Sequence, residues 1–128
     1  MRIFLVRHAE AAPGEPDELR PLTAAGKAAA RALGERLATN SIDAVVCSPL
    51  LRARETADAI ASAANLEAEP DERLAPGADV SGLSNAVADR GDTVVVVGHQ
   101  PDCGRAAAAL GGGDEPHFPP AGHPTVEL

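Results

Sequence analysis

Ile3 to Val6 is an unbroken apolar run. Apolar side chains on both faces of a short segment predict a central strand of a covered, parallel sheet. The stretch from Ala11 to Pro21, rich in proline and acidic residues, reads as an exposed loop. Thr23 then offers an N-cap, and Leu22, Gly26, Ala29, Leu33 and Leu37 fall three and four apart, one stripe of a helix broken at Asn40 and Ser41. Ala44 to Cys47 is a second strand. Ser48 and Pro49 suit the start of a second helix, with Ala53, Thr56, Ala57, Ile60 and Ala64 turned inward. Leu66 to Pro70 reads as a short edge strand closed by proline, and Pro76 to Asp79 as a turn. Val80 to Arg90 is a third helix, with Leu83 and Val87 inward and Gly91 as its stop. Thr93 to Val97, with its successive valines, is the clearest strand. Pro101 and Asp102 open a last helix, the glycines at 111, 112 and 113 end it, and the terminal "HPTVEL" supplies a final strand.

Strands alternating with helices predict an α/β fold: one domain over residues 1–128, in three α/β/α layers with a mostly parallel central sheet. Such sheets gather ligands beyond the carboxyl ends of their strands. Arg7 and His8 follow the first strand, Arg52 sits on the first turn after the second, and His99 follows the fourth. Two guanidinium groups and two imidazoles thus converge on one edge, where they suit a tetrahedral oxyanion. Helix N-termini after the second and fourth strands add partial positive charge there. The first strand can end on two groups that are costly to bury because an anion, or water before it, meets their polar demand. A histidine among arginines has its protonated form disfavoured, and a neutral imidazole nitrogen is a competent nucleophile toward phosphorus.

Composition narrows the classes. The 128 residues include two phenylalanines and neither Trp nor Tyr, so the core must be built from Ala, Val, Leu and Ile, and stacking platforms for single-stranded nucleic acid are missing. A net charge of −8 disfavours nucleic acid and anionic membrane, so an anion has to be met by a local basic pocket. Cys47 and Cys103 have no CxxC spacing, which fits free thiols and a cytoplasmic protein; no signal peptide or membrane span is read from the sequence. Cys47 reads as buried filler, while Cys103 at a helix N-terminus is expected to have a lowered pKa. His117 and His123 read as exposed loop residues rather than a metal pair, and Glu15, Asp17 and Glu18 as a solvated loop. Taken singly, Arg52 reads equally well as a surface arginine paired with Glu55 or Asp58.

The segments "LVRHAE" (Leu5–Glu10), "PLTAAG" (Pro21–Gly26), "SPLLRARETA" (Ser48–Ala57) and "VGHQP" (Val97–Pro101) resemble the histidine phosphatase superfamily in order and spacing. The superfamily also contains the cofactor-dependent phosphoglycerate mutases, and the resemblance implies a phosphoglycerate mutase-like fold. The short chain, the "RHAE" form and the "FPPAGHPTVEL" ending look most like the small bacterial phosphohistidine phosphatases of phosphorelay signal transduction. The resemblance implies His8 as the nucleophile, Arg7, Arg52 and His99 as catalytic groups holding the phosphoryl oxygens, and no metal or cofactor. It implies as partner a phosphorylated histidine-containing protein or a small phosphorylated substrate.

Two departures bear on the substrate. Many relatives carry a carboxylic acid that protonates an oxygen leaving group; in one branch it follows the second histidine, where this chain has Gln100. The remaining candidates for a proton donor are Glu10 and Glu72. A positioned acid contributes about 10²–10⁴ in rate, which an alkoxide leaving group needs more than a labile P–N bond does. Only about twenty residues separate Leu74 from the fourth strand, too few for a lid with its supports. Both departures tilt the expectation toward a protein phosphohistidine. A small-ester phosphatase is the second reading, a phosphate-recognition module without turnover the third, and a mutase is disfavoured because no insert encloses the site.

Overall fold

A computed structural model describes residues 2–111 and 125–127. The strands are β1 (Arg2–Arg7), β2 (Ala44–Cys47), β3 (Ala68–Pro70), β4 (Thr93–Gly98) and β5 (Thr125–Glu127). The helices are α1 (Ala24–Leu37), α2 (Leu51–Ala63), α3 (Val80–Val87) and α4 (Asp102–Gly111). One sheet runs β3-β2-β4-β1-β5. Its first four strands are mutually parallel, and β5 lies antiparallel to β1.

The alternation of side chains along each strand builds the layers. Phe4, Val6, Val45, Cys47, Val95 and Val97 face one way and pack on Leu33 and Leu37 of α1 and on Ala53, Ala57 and Ile60 of α2. Ile3, Leu5, Val46, Val94 and Val96 face the other way, against Leu83 and Val87 of α3 and Cys103 and Ala106 of α4. This is the expected three-layer α/β/α arrangement, with β4 buried along its whole length. No helix among the described residues is long and apolar enough to cross a membrane.

Several boundaries move. Ala30 and Gly34, rather than Ala29, complete the buried stripe of α1, and Ala61 is buried in α2 where Ala64 is partly exposed. The third helix stops at Val87, short of Arg90, and α4 is followed through Gly111; the glycines at 112 and 113, and both His117 and His123, lie outside the described residues. Ser48 does not cap α2. The cap position is Leu50, without a side-chain bond, and Ser48 is used elsewhere.

With few aromatics, neighbouring elements must approach closely to fill space, and two glycines of α1 mark where. A β-carbon on Gly34 would stand 2.9 Å from the Ala59 carbonyl oxygen of α2. At Gly26 it would collide with the Glu10 carbonyl, just past β1. The same junction is tied by Thr23, whose amide donates to Glu10 O at 3.0 Å and whose Oγ1 accepts from the Gly26 amide at 3.0 Å. Alanine is favoured over glycine in a helix by about 1 kcal/mol. Gly26→Ala should nonetheless destabilise, by about 1–3 kcal/mol in urea unfolding, because backbone has to move. Equal or greater stability would show that the close approach is not a constraint.

Candidate active site

The four parallel strands share a direction, so residues past their carboxyl ends line one edge. The ladder also continues one step beyond the strands. The His8 amide donates to Gly98 O at 3.0 Å, and the Ser48 amide to Val97 O at 3.0 Å. The backbone bearing these side chains is thereby as fixed as the sheet.

Arg7, His8, Arg52 and His99 line one open cleft of about 280 Å³, together with Arg20, Pro76 and Gln100. The two imidazole centroids are 5.2 Å apart with planes inclined at 58°. The four groups placed at strand ends by sequence are therefore brought together. Glu10 and Glu72 are not. The Glu10 carboxylate accepts from Thr23 Oγ1 at 2.7 Å, on the surface. Glu72 is exposed in the 3₁₀ turn Glu72–Leu74. Neither lines the cleft.

His8 has a defined tautomer. Its Nδ1 lies 2.7 Å from the Ala9 carbonyl oxygen. A carbonyl only accepts, so Nδ1 carries the proton. Burial lowers the His8 pKa to about 4, against the opposing Ala9 bond and with help from the charges of Arg52, Arg7 and Arg20. At neutral pH the ring is uncharged and Nε2 holds a lone pair. The loop is fixed from behind by Thr56, which is fully buried: its Oγ1 accepts from the Ala9 amide at 2.9 Å and donates to Arg52 O at 2.8 Å. One hydroxyl thus couples the segment after β1 to the first turn of α2.

His99 is buried, and its Nε2 is 2.7 Å from Ser48 Oγ. The Leu50 amide donates to that same oxygen at 3.3 Å, so the hydroxyl proton is free to go to Nε2. With the hydroxyl donating to Nε2, Nδ1 of His99 carries the ring proton; with Nε2–H donating to Oγ, Nδ1 is an acceptor. Burial, then the His8, Arg52 and Arg7 charges, lower the His99 pKa to about 4, with Asp17 opposing.

Arg52 is buried too, but its partner is neither Glu55 nor Asp58. Nη1 donates to the Asp17 main-chain oxygen at 2.8 Å and Nη2 to Asp17 Oδ2 at 3.2 Å. Glu55 instead accepts from the Leu22 amide at 2.8 Å. The acidic loop is thus not simply solvated: Asp17, at the start of the 3₁₀ turn Asp17–Leu19, reaches the site, and Arg20 beside it enters the cleft wall. Cys103 also departs from expectation. Burial pushes its thiol up to about 12, outweighing the helix N-terminus, and Sγ faces the Val6 carbonyl at 3.7 Å. Cys47 is buried filler, likewise pushed up to about 12 by burial.

The family model of the histidine phosphatase superfamily (branch 1) matches residues 3–77. The chain is 34% identical over 125 residues to the phosphohistidine phosphatase SixA of Escherichia coli, covering 91% of this chain and 78% of that one. It is 36% identical over 128 residues to an uncharacterized protein of a Picosynechococcus strain, covering 91% and 77%. A solved structure of the protein histidine phosphatase SixA complexed with tungstate superposes with a TM-score of 0.83 at 31% identity, covering 94% of this chain and 84% of that one. The family match takes in β1 to β3 with Arg7, His8 and Arg52, the relatives cover nine-tenths of the chain, and the chain belongs to the histidine phosphatase superfamily, branch 1, as a phosphatase.

Proposed function

We propose that this phosphatase removes the phosphoryl group from a protein phosphohistidine, without a metal ion, through a phospho-His8 intermediate. The observation that carries the reading is the neutral His8 ring, with Nδ1 tied to Ala9 O and Nε2 left with its lone pair among guanidinium groups. Nε2 attacks phosphorus as the P–N bond of the substrate breaks, and the departing imidazole takes a proton from solvent. Arg7, Arg52 and His99 meet the equatorial oxygens, where charge spreads in the transition state. Water then attacks phospho-His8, releasing inorganic phosphate and returning the ring to its neutral form.

The leaving group is argued from the cleft wall. Among the described residues that wall holds three arginines, two histidines, a proline and a glutamine, and no carboxylic acid. Gln100, in the place after the second histidine, has its amide oxygen committed to the Gly104 amide at 2.9 Å, so it presents its NH₂ and has no acidic proton to give. An alkoxide would leave slowly from such a site, whereas an imidazole does not need the same help. The cleft is open to solvent, which admits a side chain presented on another protein, and the named relative is itself a phosphohistidine phosphatase.

Rapid quench with a labelled phosphodonor tests the intermediate. Wild type should carry acid-labile, base-stable label, and His8→Ala none; label persisting in His8→Ala would remove the nucleophile assignment. kcat/KM on a phosphorylated histidine-transfer domain should exceed that on a panel of small phosphate esters, and a clear preference for the esters would favour a small-molecule phosphatase. Arg52→Ala should lower kcat/KM by roughly 10²–10³ through loss of transition-state charge stabilisation. A change of less than about threefold would place Arg52 outside the chemistry.

A further inference from the structure

Arg20 stands apart from the motif residues. It belongs to neither a strand end nor a helix, yet it lines the cleft with Arg7, His8, Arg52 and His99. Its side chain is 29% exposed against 9% for Arg52, so it occupies the outer part of the same wall. The guanidinium is fixed at two points: Nε donates to Ala12 O at 2.8 Å and Nη1 to Asp17 Oδ1 at 3.0 Å. The other carboxylate oxygen of Asp17 takes Arg52 Nη2. One carboxylate therefore bridges two guanidinium groups, one oxygen to each, and lies outside the set of residues lining the cleft.

We propose that Arg20 is a further oxyanion-binding residue of this cleft, alongside Arg52. A guanidinium has five N–H groups in a planar fork. Asp17 and Ala12 account for two of those on Arg20, and Asp17 for two on Arg52. The remaining N–H groups are left for the cleft. Such a fork, held at two of its nitrogens, loses little freedom when it binds, which is what makes arginine effective toward phosphate-like oxygens. Burial is the main reason the His8 ring stays neutral, and Arg20 adds to it through space as the smallest of three positive charges. A bland alternative exists on the same contacts: the Arg20–Asp17 pair pins the loop and nothing more. Exposed pairs of this kind contribute little, so that alternative predicts small effects.

The two accounts separate by sign. If the pair only pins the loop, removing either member has the same consequence. If Arg20 binds the anion, removing it subtracts an attractive charge, whereas removing the Asp17 charge subtracts a repulsive one while Ala12 O still holds Arg20. The probe is tungstate, a tetrahedral oxyanion, titrated calorimetrically into the full chain at neutral pH, with Tm measured for every variant. Arg20→Ala should weaken tungstate binding about tenfold, Arg20→Lys by less, and Asp17→Asn should tighten it or leave it within twofold. Equal weakening in Arg20→Ala and Asp17→Asn would reduce the pair to a loop tether and overturn the proposal. Unchanged binding in Arg20→Ala would overturn it as well. The inference rests on the cleft being the phosphoryl site, and Arg52→Ala keeps the two apart. Loss of tungstate binding there with none in Arg20→Ala rejects Arg20 alone, while unchanged binding in both rejects the site.

Discussion

The structure depends on a concentration of positive charge held at the carboxyl edge of a parallel sheet. Placing Arg7, Arg52 and Arg20 around two imidazoles would be strongly unfavourable if the rings were also charged. The protein resolves this by keeping them neutral, both with pKa values near 4, and by tying Asp17 to two of the guanidinium groups. The consequence for stability has a definite sign. The folded-state pKa lies below the ordinary 6.5, so between those values the unfolded chain binds more protons than the folded one. Stability is unaffected by these rings above pH 6.5 and falls as pH drops from there toward 4. The same arrangement that makes the site acid-sensitive is what leaves His8 with a lone pair on Nε2 at neutral pH.

Everything beneath the site serves to hold that edge still. Parallel pairing aligns Arg7 with Gly98 and Cys47 with Val97, so the chain emerges from neighbouring strands at one level. Valines on both faces of β4 cover the sheet from either side, and alanine and glycine on the helices permit the short distances that an aromatic-poor core requires. Buried hydroxyls then replace bulk as the means of registration. Thr56 links the Ala9 amide to α2, and Ser48 links His99 to the end of β2. Asp102 adds a third tie, its carboxylate accepting from the Gly77 and Ala78 amides and so anchoring the turn beside Pro76 in the cleft wall.

Much of this was legible in the residue pattern. Strands β1, β2 and β4 are written as dense apolar runs, and the four strand-end groups follow directly from their boundaries. What the pattern hid was partner choice. Ser48 has the residue type of a helix cap, but the neighbouring His99 competes for its hydroxyl and the helix starts later. Asp17 looks like one more solvated acid, because nothing local records that a guanidinium 35 positions away faces it. For Cys103 the helix N-terminus was the visible influence, whereas desolvation, which depends on the whole fold, is the larger one. Glu10 and Glu72 were near the site along the chain; in space, one faces Thr23 and the other lies on the surface.

The neutral, oriented state of His8 is the point on which the chemistry turns, and it is directly observable. Nitrogen-15 and proton NMR of the histidine rings across pH 3.5 to 8 reports both protonation and tautomer. The account predicts His8 as the Nδ1–H form at neutral pH, with His8 and His99 both titrating near 4. A His8 ring found as the Nε2–H form, or titrating at or above its ordinary value of 6.5, would contradict it.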